Sequence, residues 1–128
     1  MFEKYIIVPG SLRNARKGNA DGFGFDVRIA YYRGLVLSMV EGFEVVVDGI
    51  ACDAAGMVFT VGAGDFTFAE MEDEVEARWE FNEAATLFVP FKGGLAVGEH
   101  SLDVTQILRI SYMPEPARRF DSKTLALS

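Results

Sequence analysis

Apolar and polar residues alternate with a period of two along most of the chain. The clearest run sets Phe23, Phe25, Val27, Ile29 and Tyr31 against Gly24, Asp26, Arg28, Ala30 and Tyr32. Successive side chains of a strand point to opposite faces, so this run predicts a half-buried strand with Tyr31 turned inward and Tyr32 outward. Arg33 follows beside Gly34, where pairing is expected to stop and the guanidinium to pass over the rim. Phe43, Val45 and Val47 then lead into Asp48-Gly49, a dipeptide suited to the positive φ angles of a type I′ turn. A hairpin returning through Ile50 to Cys52 is predicted there. Val58 to Val61 read as another short strand, stopped by Gly62-Ala63-Gly64.

One stretch departs from this period. Thr67 and Glu70 have capping-box spacing, and Phe68, Met71 and Val75 recur at three and four residues, which predicts one short helical turn near residues 68–76. Arg78 to Phe81 and Ala84 to Phe91 resemble paired strands separated by Asn82-Glu83. The longest strand comes late, with Leu102, Val104, Leu108, Ile110 and Tyr112 on one face and Asp103, Thr105, Arg109 and Ser111 on the other. Pro114 and Pro116 end it, because proline cannot donate to a ladder. Residues 117–123 are polar and basic, and Thr124 to Leu127 resume apolar alternation, as an edge strand would. Roughly eight or nine short strands with turn signals between them predict an all-β fold, an antiparallel β-sandwich of jelly-roll kind.

Length and charge narrow the class. At 128 residues the chain has room for one core and not two, so a single domain over residues 1–128 is expected. Half the residues are apolar and about a quarter charged, a composition that folds. The formal charge of −7 disfavours nucleic acid, whose binding depends on Lys and Arg releasing counterions from phosphates. Met1 to Pro9 lack the basic and long apolar segments of a secretory leader, and no apolar run approaches the roughly 20 residues that span a bilayer. Cys52 is the only cysteine, which fits a reducing compartment. A cytoplasmic protein without membrane contact is the expectation.

Catalytic chemistry finds few residues to use. His100 is the only histidine, which leaves no cluster for a cupin-type metal centre and one residue to serve every possible triad. It follows Gly98-Glu99 at a strand start and reads first as an exposed turn histidine. Glu70, Glu72, Asp73, Glu74 and Glu76 lack the interleaved Asn and Gly of a calcium loop and read as a solvated face. Neither Gly22-Phe23-Gly24 nor Gly62-Ala63-Gly64 opens a helix after a strand, as a phosphate cradle requires. The remaining constellation is aromatic and cationic: Tyr31, Tyr32 and Arg33, then Arg78 and Trp79, then Arg109 and Tyr112. Tyr, Trp and Arg are enriched at protein interfaces, although the rings serve a core equally well.

The ordered segments M-F-E-K-Y-I-I-V-P-G-S-L-R-N, G-F-D-V-R-I-A-Y-Y-R-G, L-S-M-V-E, F-T-V-G, R-W-E-F, G-L-A-V-G-E-H and L-R-I-S-Y-M-P lie between residues 1 and 114, within a likeness that runs from residue 1 to about 127. As a set they resemble the β subunit of bacterial C-glycoside deglycosidases. The resemblance implies a small β-sandwich subunit bound to a larger α subunit with a xylose-isomerase-like barrel, which would hold a divalent metal and most catalytic groups. Together such subunits act as a lyase on the C–C bond between a sugar and an aromatic aglycone. The sugar is first oxidised to a 3-keto form, which acidifies the proton at C2 so that the aglycone can be eliminated. A base, a metal to polarise the ketone and an acid for the leaving carbon are then needed. No catalytic residue, cofactor or metal ligand is assigned to this chain on that basis. Tyr32, Arg33, Arg78, Trp79 and Arg109 are the candidates for contact with the α subunit or the mouth of its pocket. Self-association of the isolated chain is also expected, since a face that normally meets a partner stays apolar. A carbohydrate-binding sandwich and a structural homo-oligomer remain as alternatives.

Overall fold

The period-two runs pair into two antiparallel sheets whose apolar faces meet. A computed structural model describes residues 5–110 and 112–127. The strands are β1 (Arg13–Lys17), β2 (Ala20–Val27), β3 (Leu35–Val36), β4 (Val40–Val47), β5 (Ile50–Ala51), β6 (Val58–Val61), β7 (Gly64–Thr67), β8 (Arg78–Trp79), β9 (Ala85–Pro90), β10 (Gly98–Leu108) and β11 (Ala117–Leu127). One α-helix, α1 (Phe68–Glu72), lies between β7 and β8. A five-stranded sheet has the order β1-β2-β9-β6-β7, and a four-stranded sheet the order β11-β10-β4-β5. The Phe43 ring of β4 stacks on the Phe59 ring of β6 at 5.6 Å, which joins the two sheets through one core. The all-β sandwich expected from the alternation is the fold.

Local chemistry explains where the elements begin and turn. Asp48 and Gly49 take φ values of 51° and 82°, as both central positions of a type I′ turn require, and Val47 pairs with Ile50 across them. Thr67 caps α1 with a full capping box: its hydroxyl accepts from the Glu70 N–H, and the Glu70 carboxylate accepts from the Thr67 N–H. The helix is shorter than its apolar spacing predicts. It ends at Glu72, because the Glu74 carboxylate accepts from the Glu76 and Ala77 N–H groups and turns the chain away, leaving Val75 exposed.

Three expectations are corrected and one, for the Val58 to Val61 strand, is met and extended. β2 stops at Val27, yet Ile29 and Tyr31 remain buried in the irregular segment that follows. Arg78 to Phe81 does not pair with Ala84 to Phe91: β8 pairs with β3, while β9 sits between β2 and β6. The intervening turn has Asn82 at φ 73°, and Glu83 folds back so that its carboxylate accepts from the Glu80 N–H. Gly62-Ala63-Gly64 does more than stop β6, since Val61 pairs with Gly64 and the chain returns as β7. Tyr112 leaves the apolar face of β10 because that ladder ends at Leu108, next to a register shift opposite Gly42. Ser111, placed on the opposite face by the sequence, lies outside the described residues.

Candidate interaction surface

A rim at the end of β2 and β10 gathers the aromatic and cationic residues of interest. Val27 bridges Ile7 and the Arg28 N–H donates to the Ile6 carbonyl at 2.8 Å; beyond that point a buried amide takes over. Gln106, fully buried on the inner face of β10, accepts from the Ala30 N–H at 2.7 Å and donates from Nε2 to the Arg28 carbonyl at 2.9 Å. Both functions of the amide are used, so the segment Arg28 to Ala30 is held without regular structure.

That hold sets the next three residues. Tyr31 is buried and Tyr32 is 59% exposed, with ring centroids 4.5 Å apart. The Tyr31 phenol is pushed far above its ordinary range, first by the Tyr112 hydroxyl, then by that of Tyr32, and then by burial. The three phenols therefore form one cluster, with Tyr112 73% exposed and Met113 beside it in the chain. Arg33 is exposed and has no ion-pair partner among the described residues. Arg28 and Ile29 also line a mostly apolar groove of about 460 Å³ with Tyr5, Phe81 and Asn82.

The other sequence candidates are placed differently. Trp79 is fully buried: its ring meets Phe59 edge-on at 4.9 Å, and Nε1 donates to the Glu83 carbonyl at 2.9 Å. It supports the core and presents nothing to a partner. Arg78 is exposed but paired with Glu80 at 2.8 Å. Arg109 is paired with Glu41 at the edge of a groove of about 520 Å³ that Met39 and Phe68 also line. Sequence reasoning missed Gln106 and Asp121. The latter is a buried carboxylate that accepts from the Ile7 N–H at 2.9 Å and from Lys123 at 2.7 Å, tying the first described residues to β11. The available signal was position alone, since Gln106 falls on the inward phase set by Leu102 and Val104.

His100 is not the exposed turn residue expected from the sequence. It is buried, with Nδ1 2.6 Å from an Asp48 oxygen and Nε2 2.7 Å from the Ala96 carbonyl. The Cys52 thiol is pushed up by burial, which lowers its nucleophilicity at neutral pH. In the acidic run, Glu70 and Glu74 bond local backbone, and Glu72, Asp73 and Glu76 face solvent. No three His, Cys, Asp or Glu side chains converge as metal ligands among the described residues. Both nitrogens of the single histidine are engaged within the fold. No helix among the described residues is long and apolar enough to cross a membrane.

The C-glycoside deglycosidase beta subunit family matches this chain over residues 2–112. The chain belongs to that family. A C-glycoside deglycosidase beta subunit from Eubacterium cellulosolvens is 34% identical over 115 residues, covering 88% of this chain and 78% of that protein. A 3′-dehydrocarminate deglycosidase beta subunit from Microbacterium is 35% identical over 116 residues, covering 89% of this chain and 83% of the other. A C-glycoside deglycosidase beta subunit from Arthrobacter globiformis is 32% identical, with 88% and 83% covered. The matched span of this C-glycoside deglycosidase beta subunit family member contains Gln106 and the whole of the Tyr31, Tyr32, Arg33 and Tyr112 rim.

Proposed function

We propose that this chain is the smaller, non-catalytic member of a C-glycoside deglycosidase built from two kinds of polypeptide. Its larger partner, with a xylose-isomerase-like barrel, carries the divalent metal and the groups that cleave the C–C bond of a 3-keto C-glycoside. The observation that carries this reading is the family match over nearly the whole chain to proteins named beta subunits. A beta subunit implies an alpha subunit, and the rim described above offers a surface of the composition that protein partners use.

No step of bond cleavage is routed through this chain. A base that removes the proton next to a ketone must be free to accept it, and His100 is hydrogen-bonded at both nitrogens inside the fold. The chain's part is to bind and shape the larger subunit. The test is to assay a 3-keto C-glycoside with each polypeptide alone and with both. Cleavage should need the two together. Reproducible cleavage by this chain alone, surviving replacement of His100, would sink the reading.

A further inference from the structure

We propose that the larger subunit docks on the rim formed by Tyr32, Arg33 and Tyr112, an assignment that rests on the proposed function. Five residues stood as partner contacts on sequence grounds, and the structure separates them. Trp79 is fully buried, and the exposed Arg78 and Arg109 guanidinium groups are each already paired with a carboxylate, that of Glu80 and that of Glu41. Arg33 is a cation without a counter-charge among the described residues, in a chain whose formal charge is −7. It follows Tyr32, 59% exposed, in the chain, and both Tyr32 and Tyr112, 73% exposed, meet buried Tyr31.

A strong contact also requires that little order be lost on binding, and this rim is fixed beforehand. Gln106 holds the backbone at Arg28 and Ala30. Buried Tyr31 then supports Tyr32 from below at 4.5 Å between ring centroids. Rigid aromatic groups beside a guanidinium are the usual anchors of an interface, because area is gained with little rotamer entropy given up. The charge defines the partner's chemistry: its docking surface presents a carboxylate to Arg33 and hydrogen-bond acceptors to the Tyr32 and Tyr112 hydroxyls.

The test titrates the larger subunit of the same enzyme with wild type and with Arg33→Ala, Arg33→Glu, Tyr32→Ala, Tyr112→Ala, Arg78→Ala and Arg109→Ala, each checked for an unchanged denaturation midpoint. Arg33→Ala and Tyr112→Ala should each weaken binding about tenfold or more, and Arg33→Glu further still. Arg78→Ala and Arg109→Ala should stay within about twofold. If Tyr112→Ala disturbs the fold, Tyr112→Phe removes the hydroxyl alone and should still weaken binding. Unchanged binding by the rim variants, or losses confined to Arg78→Ala and Arg109→Ala, overturns the assignment while leaving the proposed function intact. Rim variants that abolish self-association of this chain but bind the larger subunit normally overturn it in favour of a second copy. Failure of wild type to bind any larger subunit overturns the proposed function and the docking assignment with it.

Discussion

The Gln106 side chain serves Ala30 as a neighbouring strand would: its carbonyl oxygen accepts the Ala30 N–H at 2.7 Å where the ladder of β2 has already ended. The same amide donates to the Arg28 carbonyl, so two buried backbone groups depend on one side chain. Gln106→Leu keeps the volume and removes both partners. It should lower stability by about 3 kcal/mol, the scale of two unsatisfied buried groups. Urea denaturation followed by the fluorescence of Trp79, the single and fully buried tryptophan, measures it. A loss under about 1 kcal/mol would mean that water replaces the amide without difficulty.

Tyr31 and Arg33 lie two residues apart and should answer substitution in opposite ways. Tyr31→Ala empties a buried aromatic site and should cost roughly 3 kcal/mol, as large-to-small core changes do. Arg33→Ala removes an exposed side chain without an ion pair and should stay within about 0.5 kcal/mol. Equilibrium unfolding of the two isolated variants decides it. The assignment fails if Arg33→Ala unfolds the domain while Tyr31→Ala leaves stability intact.

Local signals were legible in the sequence where the chemistry is confined to a few neighbours. Asp48-Gly49 announces its turn because few residue pairs tolerate two positive φ angles, and Thr67 with Glu70 announces a helix start because both bonds close within one turn. The pairing of Arg78 and Trp79 with Leu35 and Val36 was not legible, since a two-residue ladder carries no period and its partner is distant in the chain. Tyr112 was misplaced because alternation assumes a continuing strand, whereas β10 ends at Leu108 and the chain turns, with the Met113 N–H donating to the Ile110 carbonyl. At the candidate site, the outward Tyr32 and the Arg33 beside it matched the phase of Phe23, Phe25 and Val27, although β2 ends at Val27 and Ala30, expected outward, is buried. The support beneath them was not legible, because Gln106 bonds backbone groups and a polar residue at an inward position reads only as an interruption.

Gly42 should resist replacement. Its φ of +149° lies outside the range that side chains adopt easily, and a Cβ there would come within 3.2 Å of the Phe68 ring. Phe68 packs beside Phe43, at 6.1 Å between centroids, and lines the groove next to Arg109. Gly42→Ala should therefore cost on the order of 2 kcal/mol and shift the Phe68 ring. Thermal unfolding gives the first quantity, and the chemical shifts of the Phe68 ring protons give the second. A variant as stable as wild type with an unmoved ring would show that the bulge relaxes freely.

His100 faces an acceptor at each nitrogen, and this fixes how the fold should respond to pH. The Asp48 carboxylate at 2.6 Å and the Ala96 carbonyl at 2.7 Å can only accept, whereas a neutral imidazole donates from one nitrogen alone. Both bonds together require the imidazolium. The His100 pKa is accordingly raised, first by the Ala96 carbonyl and then by Asp48. That of Asp48 is lowered, first by His100 and then by the Ser101 N–H, which donates at 2.9 Å. A histidine raised on folding stabilises fully below its unfolded value of about 6.5, and the contribution is lost as pH rises through the folded value. A carboxylate lowered on folding stabilises above about 3.9, and its contribution is lost as pH falls through the folded value. The clasp between the β4–β5 turn and the start of β10 should thus be strongest between those limits. His100→Gln, which offers no charge and one donor group, should lower the urea midpoint most near pH 6 and progressively less toward about pH 9. Wild type and variant midpoints that run parallel over that interval would remove the imidazolium from the account and leave a neutral, singly bonded ring.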